Sequence, residues 1–196
     1  TAILIDKNIN HTEYIHPPPN GMESTAITLK TSDFNNVNIF SCYNPPANSI
    51  DQQTFTNLFH PTRATILAGD LNAKNPLWNS RVTNLNGKKL ESLANAANIH
   101  VDAPIESTYS PPHLGRNEDV LDICCFRNFT KYYEFHVIRD MTSDHFPVLL
   151  KITNIPLDII IPPQKKIDWM IFYNELSNYS NQHSHIMTKR LEIDRA

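Results

Sequence analysis

Apolar positions along the chain fall mostly in short runs, at 2–5, 26–29, 37–42, 65–68, 120–125, 132–138 and 147–152. Several alternate and are rich in β-branched or aromatic residues, the period-two pattern that predicts strands. Asn, Asp, Pro and Gly bound these runs, as turn residues do. Two segments carry helical spacing instead. Residues 50–59 offer Asp51 as an N-cap ahead of Phe55, Leu58 and Phe59, and residues 87–98 align Leu90, Leu93, Ala94 and Ala97 on one face. Both read as amphipathic helices covering a sheet. Strands outnumber helices, and the helices lie between runs of strands rather than after each one, which predicts an α+β two-layer or sandwich architecture and not a doubly wound sheet. After Ile152, Pro156, Pro162 and Pro163 flank an Ile-rich run, followed by Lys165, Lys166, a helical segment around 169–176 and a polar tail. The compact domain is therefore expected over 1–153 and a linker over 154–196. Thr1 leads at once into the apolar run 2–5, as if a domain were joined part-way along its fold.

With 196 residues and 40% hydrophobic positions, the chain suits one domain with its own core. Four glycines against fourteen prolines predict few turns with positive φ and many extended connections. A formal net charge of −3 argues against holding nucleic acid by global electrostatics, and leaves local basic patches open. Cys42, Cys124 and Cys125 are too few and too badly spaced for a disulfide framework or a zinc site, so they are expected as reduced core thiols. The longest apolar stretch, 155–163, is broken by Pro156 and Asp158 and falls short of a membrane span, and no secretory signal is visible. The sequence therefore predicts an intracellular location and no membrane partner.

Candidate chemistry gathers at the ends of the predicted strands. Residues 66–72 are an apolar run leading into Gly69, then Asp70 and Asn72 two residues apart and so on the same side. Such a strand end can hold a carboxylate that activates water beside an amide that hydrogen-bonds a phosphoryl oxygen; an Asp/Asn turn formed for conformational reasons is the alternative. Ser143, Asp144 and His145 stand directly before another apolar strand, where a metal ligand and a phosphate contact, or a plain capping turn, would fit. Asp122 is a lone carboxylate in an apolar strand; burial would require a partner, and an imidazole such as His145 would satisfy both groups, whereas a solvent-facing position would need none. Tyr43 ends a strand before Asn44, Pro45 and Pro46, placed to donate its phenol to a phosphate or to pack at the sheet rim.

In order, Tyr43-Asn44-Pro45, Gly69-Asp70-Leu71-Asn72, Ser107-Thr108-Tyr109, Leu121-Asp122 and Ser143-Asp144-His145 resemble the endonuclease/exonuclease/phosphatase superfamily. The stretches 69–81, 86–90 and 119–123 resemble the apurinic-type endonuclease domain of Jockey-like non-LTR retrotransposons. That resemblance implies a four-layer α/β sandwich, lacking its first strands here, that cuts a phosphodiester of double-stranded DNA with Mg²⁺, or Mn²⁺ in its place. It implies that Asp70 orients or deprotonates the attacking water, that Asn72 hydrogen-bonds the water or the scissile phosphate, and that Asp144 sits near the metal. His145 would contact the phosphate with support from Asp122, and Tyr43 would supply a phosphate-side phenol. Lys74, Arg81 and Arg116 would form a basic rim on DNA, with a solvated surface as the alternative, and Trp78 would stack on a base or pack under a loop.

The family also carries an Asn strand and a strand with the principal metal-binding Glu ahead of the segment resembling 1–5. Neither is in this sequence, and Asp6, Glu13 and Glu23 follow that segment, so none of them is assigned the role. Weak Mg²⁺ binding and little or no nicking are expected in consequence. The resemblance places the tail before a reverse transcriptase in a parent polyprotein, where a nick would prime copying of element RNA in the nucleus. The competing readings are an inactive transposon relic or non-catalytic DNA-binding remnant, and a phosphatase or phospholipase of the same superfamily.

Overall fold

The computed structural model describes residues 1–17, 20–33, 35–112, 117–140, 142–161 and 168–179. Its elements in chain order are β1 (His11–Glu13), β2 (Glu23–Leu29), β3 (Val37–Tyr43), α1 (Gln52–Asn57), β4 (Ala64–Asp70), a 3-10 turn (Pro76–Trp78), α2 (Leu85–Ala97), β5 (His100–Asp102), β6 (Asp122–Arg127), β7 (Tyr133–Val137) and β8 (Val148–Ile152). Six strands form a mixed sheet in the order β1-β2-β3-β4-β6-β5, and β7 and β8 form a separate antiparallel pair. Among the described strands only β3 and β4 run parallel to each other, with α1 on their crossover.

Alternation along the central strands gives the sheet two apolar faces. Phe40, Leu67, Ile123 and Cys125 point to one side, where they pack with Phe55 and Leu58 of the α1 segment and with Leu90 and Leu93 of α2. Val37, Ile66, Cys124 and Phe126 point to the other, against Tyr133, Phe135, Leu150 and Ile152 of the second sheet. Helices, six-stranded sheet and two-stranded sheet are thus three layers of an α/β sandwich. Burial of about 25 cal/mol per Å² of apolar surface on both faces is what holds the central strands between the other two layers. Cys42, Cys124 and Cys125 are free thiols within these cores, and burial pushes those of Cys42 and Cys124 up to about 12.

Several elements depart from the sequence pattern. The run 2–5 forms no strand: it has no ladder partner among the described residues, and Leu4 is 99% exposed. An apolar run becomes a strand only where another strand pairs with its N–H and C=O groups. Strands β1 and β5 are too short and polar to show in a hydrophobic pattern. Helix α2 begins two residues before Gly87, because Asn84 is its cap and accepts from the Gly87 N–H at 2.7 Å.

The chain divides into two compact units, Thr1–Ile160 and Ile161–Ala196. The first includes residues 154–160, a segment that sequence pattern alone assigns to the linker. Here Leu157 and Ile159 bridge to Thr31 and Ile9, and Asn10 donates to the Asp158 carboxylate at 2.7 Å. The described part of the second unit is a helix over 169–179, whose first N–H groups donate to Asp168.

Candidate active site

Strand register brings the candidate residues together. Tyr43 is the ladder partner of Asp70, and Asp70 is the partner of Asp122, so the three stand in one row at the end of β3, β4 and β6. The row shares the face of Ile39, Ile66 and Phe126, because side chains two residues apart on a strand point to one side. Next to it lies an apolar cavity of about 570 Å³ whose lining includes Ser41, Ala68, Cys124, Val148, Asp122 and His145.

The turn after β4 is fixed by glycine and by amides. Gly69 has φ +147°, and a Cβ there would lie 1.9 Å from the Cys42 carbonyl oxygen, so no other residue fits. Asn72 is left-handed at φ 46°, the conformation that folds it back on Asp70. Its N–H reaches Asp70 Oδ1 at 2.9 Å, and its Nδ2 donates to Asp70 Oδ2 at 3.0 Å and to the Asn44 carbonyl at 3.1 Å. Both amide hydrogens are thereby occupied inside the protein, and Oδ1 is left to accept. The opposite amide orientation would face oxygen with oxygen. Asn44 in turn donates to the Leu71 carbonyl, Asn84 to the Asn72 carbonyl at 2.8 Å, and Asn48 to Asn44 Oδ1. Neutral amides, each donor and acceptor at once, thus tie the turn to the loop after β3 and to the start of α2.

His145 comes from the turn before β8. Its Nδ1 lies 2.9 Å from Asp122 Oδ2, the pairing the sequence anticipates, and its Nε2 lies 3.9 Å from Asp70 Oδ2. The shorter contact is a hydrogen bond; the longer lies outside hydrogen-bond range and leaves a gap that an oxygen atom can bridge only from the side. Burial, opposed by the Asn72 N–H and reinforced by the facing Asp122 charge, raises the Asp70 carboxyl above the usual carboxylate range. The Asp122 hydrogen bond, against partial burial, raises His145 above the usual imidazole range, and the charges of Asp122, Asp70 and Asp144 add to it. A proton-hungry imidazole and a desolvated carboxylate therefore face one gap. Tyr43 is half-buried, and its phenol has no hydrogen-bond partner among the described residues.

Three residues to which the sequence reading gave no role complete the frame. Thr108 is fully buried, and its Oγ1 accepts the Leu121 and Asp122 N–H groups at 3.0 and 3.1 Å, fixing the start of β6. Tyr109 bridges His145 through its backbone and packs its ring 4.9 Å from the imidazole. Asp119 is 3% exposed and takes an ion pair from Lys74 at 2.9 Å. The Ser-Thr-Tyr spelling hinted at the first two, and Asp119 opened the 119–123 stretch without a pattern that foretold its burial or its partner.

The proposed DNA-facing residues part company. Trp78 is 2% exposed and donates its indole N–H to the Ala73 carbonyl at 2.7 Å, so its ring packs in the core and offers a base no face. Lys74 is engaged by Asp119. Arg81 is exposed, with its guanidinium beside the Asn117 side-chain oxygen once that amide is oriented to accept. Arg116 lies outside the described residues.

Asp144 is exposed; its carboxylate meets Ser143 Oγ at 3.5 Å, and its backbone carbonyl accepts from Ser110. Among the described residues, no three His, Cys, Asp or Glu side chains converge as a ligand group. The donors near the gap, Asp70 and Asp144, are hard oxygens of the kind Mg²⁺ accepts alongside water and substrate oxygens.

Layer order, strand topology and the Asp–His pair at the sheet end define an α/β sandwich of the endonuclease/exonuclease/phosphatase type. The model of the endonuclease-reverse transcriptase family matches residues 37–149. That is more than half of the chain, which therefore belongs to this family. The fold is similar to the endonuclease domain of TRAS1, a telomere-specific non-LTR retrotransposon, with a TM-score of 0.66 and 19% identity over 76% of this chain and 71% of that one. No curated protein matches. Among the described residues no helix is long and apolar enough to cross a membrane.

Proposed function

We propose that this chain is a divalent-metal-dependent DNA endonuclease that hydrolyses one phosphodiester at the Asp70–His145 gap. The observation that carries the reading is the pairing of the Asp122–His145 dyad with a desolvated Asp70 across 3.9 Å. Asp70 takes the proton of the attacking water, and Asn72 Oδ1 orients that water by accepting its second hydrogen. This assigns Asn72 to the water rather than to the phosphate, because both of its amide hydrogens are already engaged. His145, whose charged form Asp122 favours, donates Nε2–H to a non-bridging phosphate oxygen, and Tyr43 donates its phenol to another. Water oxygen bonds to phosphorus, the bond to the 3′ oxygen breaks, and that oxygen takes a proton from solvent, leaving a 3′-hydroxyl and a 5′-phosphate while Asp70 releases its proton to solvent. Asp144 and Asp70 would hold Mg²⁺ or Mn²⁺, which supplies charge neutralisation at the phosphate.

The absence of three converging ligand side chains among the described residues predicts weak, millimolar metal binding and slow turnover. Arg81, an exposed cation, would meet the DNA backbone. In a parent polyprotein, the nick would supply the primer end for reverse transcription of element RNA in the nucleus. Plasmid nicking against metal concentration tests the reading, with Asp70→Asn and His145→Ala expected to lose activity.

A further inference from the structure

The site has two halves that are far apart in sequence. One is the turn after β4, which carries Asp70 and Asn72. The other is the region from Thr108 to His145, which carries the dyad. Among the described residues they are joined by the β4–β6 ladder, by the buried Ser80 hydroxyl donating to the Val120 carbonyl at 2.9 Å, and by an ion pair between a partly buried lysine and a buried carboxylate. Lys74 Nζ lies 2.9 Å from Asp119 Oδ2, and Asp119 Oδ1 accepts the Arg81 and Val120 N–H groups at 2.9 and 3.0 Å.

From Asp119 the links run to the dyad. Its carbonyl accepts from both Thr108 and Tyr109 at 3.0 Å, and its N–H donates back to Tyr109. Thr108 Oγ1 then fixes the Asp122 N–H, while the Thr108 carbonyl takes the Phe146 N–H at 2.8 Å, beside His145. From Lys74 the links run to the turn. Its N–H and carbonyl both bond Asn84, whose side chain holds the Asn72 carbonyl. The Lys74 carbonyl also packs where Gly87 lacks a side chain: a Cβ there would stand 1.8 Å away. Burial opposes ionisation of Asp119, but the Lys74 ammonium and the two N–H groups overcome it and hold the carboxyl below the usual range.

We propose that Lys74 and Asp119 are a positioning pair that sets the distance between the water-activating and phosphate-contacting halves, and that the Lys74 charge makes no DNA phosphate contact. The inference rests on the nuclease reading, and its test has one part that does not. Lys74 would be a natural phosphate ligand by sequence, since it sits two residues from Asn72. A buried carboxylate at 2.9 Å, however, already fixes its ammonium, and removing either partner would strand the other charge.

The experiment uses the full chain with Lys74→Met, Lys74→Arg, Asp119→Asn and the Lys74→Met/Asp119→Asn double variant. Binding of a duplex oligonucleotide across a salt series should give Lys74→Met the parent slope of log K against log salt. Arg81→Gln should lose about one unit. A loss of about one unit in Lys74→Met overturns the proposal. In nicking, each single neutralising variant should lower kcat about tenfold with KM within about twofold, the double should be no worse than the poorer single, and Lys74→Arg should recover most of the rate. Parent-like kcat in both single variants, or a raised KM with kcat intact, overturns it too. If the parent shows no nicking at all, the nuclease reading fails, and hydrogen exchange still decides the inference. The Asn72, Thr108 and Tyr109 amides should exchange at least tenfold faster in both single variants, and unchanged exchange at all three contradicts the pair.

Discussion

Asn72 and Gly69 impose different demands on the same turn. Gly69 is required by close approach, since its φ of +147° leaves a Cβ nowhere but on the Cys42 carbonyl. Gly69→Ala should destabilise the chain by about 2–4 kcal/mol in urea unfolding, at the upper end for a single substitution. Asn72 is required for its amide. Asn72→Asp keeps a residue tolerant of φ 46° but turns a donor toward Asp70 into an acceptor. It should still fold but with a lowered midpoint, since two amide hydrogen bonds give way to facing oxygens, lose nicking by about a hundredfold, and shift the acid limb of the pH–rate profile upward as Asp70 ionises less readily. Few glycines suggested few positive-φ turns, yet Asn72, Asn79, Asn98, Asn128 and Asn154 all adopt that conformation. Asparagine takes the left-handed region at low penalty, so the composition that hinted at extended connections was instead supplying turns. The residues of the site were legible because each stands at a strand end in a distinctive short pattern. The frame around them was not: the Thr108 hydroxyl and the Asp119 carboxylate hold backbone N–H groups, partners that any sequence has.

Among the elements, the central strands follow the apolar alternation closely because both faces are buried, and burial is what a hydrophobic pattern records. Strand β1, strand β5 and the start of α2 depend on hydrogen-bond partners and caps, which leave little trace in hydropathy. Trp78 was ambiguous for the same reason; an indole in a polar loop becomes core only once the Ala73 carbonyl is seen to receive its N–H. The element that matters most to the site beyond the strands is α2. Asn84 caps it, receives the Lys74 N–H, and holds the Asn72 carbonyl. Asn84→Ala should cost about 1–2 kcal/mol, the range of a lost N-cap, with a further loss of nicking rate that Asn95→Ala, on the same helix, does not show.

Over the whole molecule, net charge of −3 excludes little, because hydrolysis of one phosphodiester needs a few aimed groups rather than a basic surface. Titration of the site also marks overall stability. His145 has a folded pKa above its unfolded value, so its contribution is complete below the unfolded pKa and fades as pH rises through the folded one. Asp70 is raised as well, so its ionisation disfavours folding as pH climbs from the ordinary carboxylate range. Both act in one direction, and the thermal midpoint should fall on going from pH 6 to pH 8.5 by more in the parent than in His145→Gln. Equal falls would remove the dyad from the stability account.

Supercoiled-plasmid nicking by the full chain over a Mg²⁺ and Mn²⁺ series is the most direct test of the site itself. Slow nicking that rises through the millimolar metal range, leaves 3′-hydroxyl ends, and is lost in Asp70→Asn, Asp122→Asn and His145→Ala is the result expected. Nicking that survives those three substitutions, or none at any metal concentration from a chain shown to be folded, would contradict it.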